Sequence, residues 1–183
     1  TAEGTLLAGS DTTAPTVTFS PLNSATNVVR TVNPTIAFNE SVRLLNNSAI
    51  TNANIDAVVE VRINNASGTL VPFDATFASN TISIVPTTTL DVNQLYYVAL
   101  LANTIEDLSD NAITTLQSTT FTTAKPTVTL SVSTNAATEV GTTIITVTAT
   151  ADVAVNGDQT LNLGVTGTNI TAGDYTLNGL TFT

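Results

Sequence analysis

The sequence predicts an all-β protein made of two tandem antiparallel β-sandwich domains, the second of them incomplete. Threonine alternates with valine-type residues in segments 16–19, 127–132 and 143–148. A period of two places one face of each segment in a core and the other in water, which is typical of half-buried antiparallel strands. Turn-forming Asn, Gly, Pro and Asp residues separate the segments, and many short strands divided by turns favour a sandwich.

Two proline-containing junctions divide the chain into the predicted domains. Asp11–Pro15 combines turn-forming residues with a proline that favours extended backbone before it. Residues 1–10 are therefore a lead-in or a donor segment, and the first domain spans residues 11–123. Residues 124–126 form the second linker, and residues 127–183 form the second domain.

The strand candidates contain β-branched and apolar residues between turn residues. Residues 45–57 differ, because Ser48 can cap a short helix, and we expect one helical turn within a loop there. Residues 95–101 are the most apolar run and predict a central strand, whereas the acidic segment 105–111 predicts a loop. The other strand candidates are 17–20, 35–38, 42–44, 58–63, 70–73, 75–77, 81–85, 118–122, 128–132, 145–149, 161–165, 175–177 and 180–182.

Composition argues against several classes of function. The 183 residues are 42% hydrophobic, enough for a folded core, but no apolar run is long enough to cross a membrane. A net charge of −10 repels nucleic-acid phosphates and anionic lipid surfaces. Cys and His are absent, which excludes disulfides, thiolate nucleophiles and histidine-dependent catalysis. With Thr-rich strands and no recognisable signal peptide, these features indicate a secreted or bacterial cell-surface protein, as a mature chain or an excised piece.

Short segments of the first domain occur in an order typical of one known family. They are 11–17, 20–28, 36–42, 95–98, 105–111 and 121–123. They resemble the bacterial immunoglobulin-like domain of S-layer proteins and large surface adhesins, which implies an Ig-like sandwich with a structural or adhesive role. Ser24 and Asp110 stand where that family usually has glycine.

Three segments of the second domain carry another resemblance, namely Pro126–Leu130, Thr138–Gly141 and Gly173–Tyr175. They resemble the first part of a Calx-beta domain, which implies calcium and, as its ligands, Glu139 and Asp174. Members of that family continue for several further strands and end in an acidic cluster. We therefore expect the sandwich and its calcium site to be incomplete within this sequence. The alternative to calcium binding is that Glu139 is an exposed acid at a strand end and that Asp174 caps a turn.

A second acidic group, Glu106, Asp107 and Asp110, lies in the first domain, and the resemblance implies that Glu40 lies near it. Clustered carboxylates supply the oxygen ligands that calcium and magnesium prefer. The alternative is a turn in which the acids accept hydrogen bonds from nearby backbone amides. Asp11 lies at the linker, where a metal ion can stiffen the domain junction.

These observations predict a non-catalytic module of a bacterial surface protein, a stalk or adhesin segment stiffened by calcium. No pattern of acids indicates a catalytic cleft. Lys125, the one lysine of the chain, lies at a linker, where we expect it to be solvated and not joined in an isopeptide bond. The expected partners are neighbouring domains or copies of the same protein, with no nucleic acid and no membrane insertion.

Two alternatives remain open. The chain can be a self-assembling subunit of an extracellular filament or S-layer, in which a strand from a neighbour completes the open second sandwich. Thr5–Ala8 is a candidate for that strand. The chain can also be a carbohydrate- or ice-binding module, although aromatic residues are 5% of it and Trp is absent. The sequence does not name an adhesive ligand.

Overall fold

The computed structural model describes residues 11–134 and 144–154, and predictions that fall on the remaining residues lie outside the described part. The chain divides into two compact units, residues 1–153 and 154–183. No helix within the described ranges is long and apolar enough to span a membrane. A 3-10 turn occupies Ile55–Val58. The strands are β1 Val17–Ser20, β2 Ala25–Val28, β3 Thr35–Phe38, β4 Val42–Leu44, β5 Val59–Ile63, β6 Phe73–Ala78, β7 Thr81–Pro86, β8 Leu95–Leu100, β9 Ile105–Asp107, β10 Gln117–Thr123, β11 Val128–Val132 and β12 Val147–Ala151.

Two four-stranded sheets form the first predicted sandwich. One sheet has the order β1-β3-β7-β6 and the other has the order β2-β10-β8-β5. Neighbouring strands are antiparallel except for β2, which runs parallel to β10. The structure therefore confirms the all-β fold class, and β8 is an interior strand, as its apolar sequence predicts.

The core lies between the two sheets and follows from the alternation of the strands. Ile36 of β3 and Ile82 of β7 come from one sheet, and Val98 of β8 and Phe121 of β10 come from the other, all with 0% exposure. The ring of Phe121 stacks on Tyr96 with centroids 5.7 Å apart. Thr119 and Thr123 are buried on the same face of β10 as Phe121, so threonine contributes to the core as well as to the surface.

The prediction of a loop at 105–111 was wrong at its first three residues. Ile105–Asp107 form β9, which pairs antiparallel with β4 and places Arg43 opposite Glu106. The acidic sequence tolerates a strand here because the ladder satisfies the backbone groups and Arg43 binds the buried carboxylate. Asp107 ends the strand and begins the turn that follows.

Three further local predictions need correction. The helical turn forms at Ile55–Val58 rather than after Ser48, whose amide instead donates to the side chain of Asn46. Strand β2 was not predicted, because Ala25–Val28 lacks a clear alternation. Of the expected strand 70–73, Leu70 forms an isolated bridge to Arg62, and Phe73 is the first residue of β6, opposite Pro86.

The described part of the second predicted domain is the hairpin of β11 and β12. The two strands pair antiparallel over five residues each, with Leu130 opposite Ala149 and Val132 opposite Val147. The alternation places Val128, Leu130 and Val132 on one face, but every residue of both strands is exposed. The strand predicted at 128–132 is confirmed as β11, and the one predicted at 145–149 lies two residues later as β12, while the other strand candidates of this domain lie outside the described residues.

Candidate metal centre

Three carboxylates converge at one edge of the sandwich. They belong to Asp11 in the entry linker, Glu40 in the turn before β4, and Asp107 at the end of β9. One oxygen from each lies within 4.8 Å of the others. Asp11 is exposed, Glu40 is half-buried and Asp107 is buried, so the group extends from the surface into the protein.

Strand pairing and one side-chain amide bring these acids together. The β4–β9 ladder sets Val42 opposite Asp107, which brings the turn containing Glu40 close to the end of β9. The Asn111 Nδ2 donates to the backbone oxygen of Asp11 over 3.1 Å and to Asp107 Oδ2 over 2.7 Å. Asn111 therefore connects the entry linker to the turn after β9.

Asp107 is held as an ionised turn residue. Its Oδ1 accepts the backbone amides of Ser109 at 2.7 Å and Asn111 at 2.8 Å. Burial raises the pKa of Asp107, but the hydrogen bonds from Asn111 and Ser109, with the charge of Arg43, outweigh it and hold that pKa below its ordinary value. The turn interpretation that the sequence left open therefore describes the contacts of this residue, which keeps its negative charge at neutral pH.

The other two acids of the predicted group face Arg43. Arg43 Nε lies 2.9 Å from Glu106 Oε1, and its Nη2 binds Asp110. The side chain of Glu106 is only 5% exposed, whereas that of Asp110 is 74% exposed. The structure thus places Asp107 with Asp11 and Glu40, and places Glu106 and Asp110 in an ion-pair network beside them.

The arrangement suits a hard divalent cation better than any covalent chemistry. Calcium takes six to eight oxygen ligands and magnesium about six, and one oxygen from each of the three carboxylates supplies part of such a shell. The other candidate ligands, Glu139 and Asp174, lie outside the described residues. Sequence reasoning singled out all three converging acids but could not show that Asp11 and Glu40 reach Asp107.

Residues 11–123 match the family model described as a bacterial Ig-like domain. The chain belongs to this family. Bacterial Ig-like domains occur in surface proteins of bacteria and form a non-enzymatic structural fold. No curated protein matches the chain.

Ser24 and Asp110, where the resemblance implies glycine, both have backbone angles that favour glycine. Ser24 has a φ of 63° and Asp110 has a φ of 67°, both in the left-handed region that favours glycine. Asn and Asp tolerate that region better than most residues, and the side chain of Asp110 gains a contact with Arg43. Both sites thus have a positive φ although neither residue is glycine.

Two clefts of the Ig-like domain are too small for a typical small-molecule site. Their volumes are about 160 and 270 Å³, whereas ligand pockets usually measure about 300–1,000 Å³. Neither is lined by a pair of carboxylates. The aromatic residues Tyr96 and Tyr97 are 2% and 8% exposed, so they pack in the core and do not form a sugar-binding platform.

Proposed function

We propose that residues 11–123 are a non-catalytic structural module in a stalk or adhesin segment of a bacterial surface protein, and that calcium fixes the module to the chain that enters it. The observation that carries the proposal is the convergence of Asp11 with Glu40 and Asp107. Asp11 belongs to the linker, whereas the other two belong to the sandwich. An ion held by all three fastens the linker to the sandwich.

Electrostatics supports this proposal. Three carboxylate oxygens within 4.8 Å of one another repel when ionised, and a divalent cation replaces that repulsion with attraction. The ion binds the folded arrangement and not the unfolded chain, in which the three residues are far apart in sequence. Binding must therefore stabilise the fold by mass action, by about 2.7 kcal/mol when free calcium is 100 times its dissociation constant.

Thermal unfolding of the full chain in calcium and in chelator tests the proposal. We expect a higher melting temperature in calcium, with the difference abolished by Asp11→Asn. Asp74→Asn is the matched control, because Asp74 is exposed and lies outside the cluster, and it should keep the full calcium effect. The same melting temperature in calcium and in chelator for the unsubstituted chain would refute the calcium part of the proposal.

The exposed hairpin supports a second proposal. We propose that residues 126–183 form a Calx-beta-like module with Glu139 and Asp174 as calcium ligands, and that additional strands complete this module. Leu130 and Val132 are 52% and 54% exposed, and a sheet with an uncovered apolar face needs a partner. A strand from a neighbouring copy can supply it, which makes the chain a building block of a filament or surface layer. Light scattering decides between these forms: polymers that disappear on deletion of residues 1–10 support strand donation, whereas a monomer supports a segment completed within its own protein.

A further inference from the structure

The two sheets of the sandwich end in strands whose outer edges can pair with another chain. An uncovered edge presents backbone N–H and C=O groups to any extended segment. Chain segment 69–71 already covers β5, because the amide of Ile63 donates to Thr69 and the amide of Val71 donates to Val61, both at 2.9 Å. The edge strand β6 has six residues, and within the described part of the chain no backbone segment pairs with its outer side.

Two side-chain oxygens accept hydrogen bonds from backbone amides of β6 instead. The amide of Ala75 donates to Asp56 Oδ1 over 2.8 Å, and the amide of Phe77 donates to Asn52 Oδ1 over 3.1 Å. Ala75 lies opposite Ile84 of β7, and the amide of Ile84 donates away from β6, to the backbone oxygen of Pro34. Directly opposite residues of an antiparallel pair either bond to each other or both point away, so the amide of Ala75 points to the outer side of β6. Residues two apart on a strand direct their amides to the same side, so the amides of Ala75 and Phe77 both point outward and both have a side-chain acceptor.

The segment that carries these two acceptors is anchored to the sandwich. Ile55 is 0% exposed and Val58 is 5% exposed, and both belong to the core. Asn54 fixes the turn from within, since its Oδ1 accepts the amide of Thr51 over 2.8 Å. Asn52 and Asp56 are thus held beside β6 by buried residues on the same short segment.

We propose that Asn52 and Asp56 close the β6 edge against strand addition by a second copy of this chain. The strand suits self-pairing once its amides are free. An antiparallel pair of β6 strands centred on Thr76 sets Asp74 opposite Ala78 of the other copy, so no like charges face each other. The Ala75 and Phe77 amides of each copy then donate to carbonyls of the other instead of to the two side chains. This inference does not depend on calcium or on the hairpin.

A cysteine cross-link tests the proposal in the full chain, which has no cysteine of its own. Thr76 is exposed and occupies the centre of the pairing, so Thr76→Cys reports on this contact specifically. We expect Asn52→Ala with Asp56→Ala and Thr76→Cys to give a severalfold larger fraction of disulfide dimer than Thr76→Cys alone. Moving the cysteine to Ser79, at the exposed tip between β6 and β7, should remove the gain.

The matched control exchanges the two acceptors. Combined with Thr76→Cys, Asn52→Asp with Asp56→Asn keeps an oxygen at each position and leaves the net charge unchanged. This variant should give no more disulfide dimer than Thr76→Cys alone. A folded double alanine variant that gives no more dimer than Thr76→Cys alone would overturn the proposal. If circular dichroism shows the double variant to be unfolded, Asn52→Ala with Thr76→Cys decides in the same way, because Asn52 lies at the exposed part of the contact.

Discussion

The sandwich and the β11–β12 hairpin share one sequence pattern but differ in what the pattern achieves. In β3 and β7 the alternation puts Ile36 and Ile82 at 0% exposure, whereas in β11 it leaves Leu130 at 52%. Alternation specifies which residues share a face. Burial of that face requires a second sheet, and the described residues supply one only to the sandwich.

The largest expected effect on stability comes from truncating a buried apolar side chain, and an exposed apolar side chain of the hairpin serves as the comparison. Phe121→Ala should lower the free energy of unfolding of the sandwich by about 3–5 kcal/mol, because the ring is fully buried against Tyr96. Leu130→Ala should change the same transition by less than about 0.5 kcal/mol. Urea unfolding measures both, and similar losses would show that the hairpin contributes to the core.

The next effect comes from the ion pair beside the candidate metal centre. Arg43→Ala leaves the carboxylate of Glu106 buried without its partner, which costs about 3 kcal/mol. Arg62→Ala is the comparison, since its partner Glu60 has a side chain that is 29% exposed and such pairs contribute about 0–1 kcal/mol. Chemical denaturation in chelator should separate the two variants, and equal losses would contradict the buried role of Glu106.

A smaller effect depends on pH and concerns Tyr96 of the sandwich, whereas β11 and β12 contain no titratable side chain. Burial raises the pKa of Tyr96 above its ordinary value, more than its contact with the Asp91 amide lowers it. The unfolded chain therefore loses this proton first as the pH rises above about 10, and stability falls.

Tyr96→Phe should weaken this alkaline loss of stability. The free energy of unfolding of the variant is also lower at neutral pH, by about 1 kcal/mol, because the hydroxyl that accepts the amide of Asp91 has been removed. Urea midpoints measured at several values between neutral and alkaline pH give both quantities. Parallel pH profiles for the two proteins would show that Tyr96 does not cause the loss.

The smallest effect on stability concerns the hairpin face. Val132→Thr keeps a β-branched side chain on a strand and should leave the unfolding of the sandwich unchanged, because Val132 is 54% exposed. It should reduce the binding of a dye that fluoresces on apolar surfaces. A wild-type chain that binds no dye would mean that the face is covered.

Much of the fold could be predicted from the sequence because local alternation determines it. β1, β3 and β4 have the predicted bounds, and most other predicted strands of the sandwich differ from the observed ones by a residue or two. β2 and β9 could not be predicted in this way. Ala25–Val28 lacks alternation and pairs parallel with a strand far along the chain, and β9 is acidic and depends on Arg43 from β4.

The candidate metal centre was predictable by residue type and not by arrangement. Carboxylates at the linker and after β8 indicated an acidic cluster. Only the β4–β9 pairing and the bridge from Asn111 to the linker show which acids meet. The pairing with Arg43 likewise separates Glu106 from Asp107, although the two are adjacent in sequence, because successive side chains of a strand point to opposite faces.

Titration calorimetry of the full chain with calcium tests the central claim most directly. We predict a binding heat that decreases in Glu40→Gln, which removes one carboxylate of the cluster while keeping a side chain of nearly the same shape, and that is unchanged in Asp74→Asn. Equal heats in Glu40→Gln and in the unsubstituted chain, or no heat in either, would contradict the claim that Asp11, Glu40 and Asp107 hold the ion.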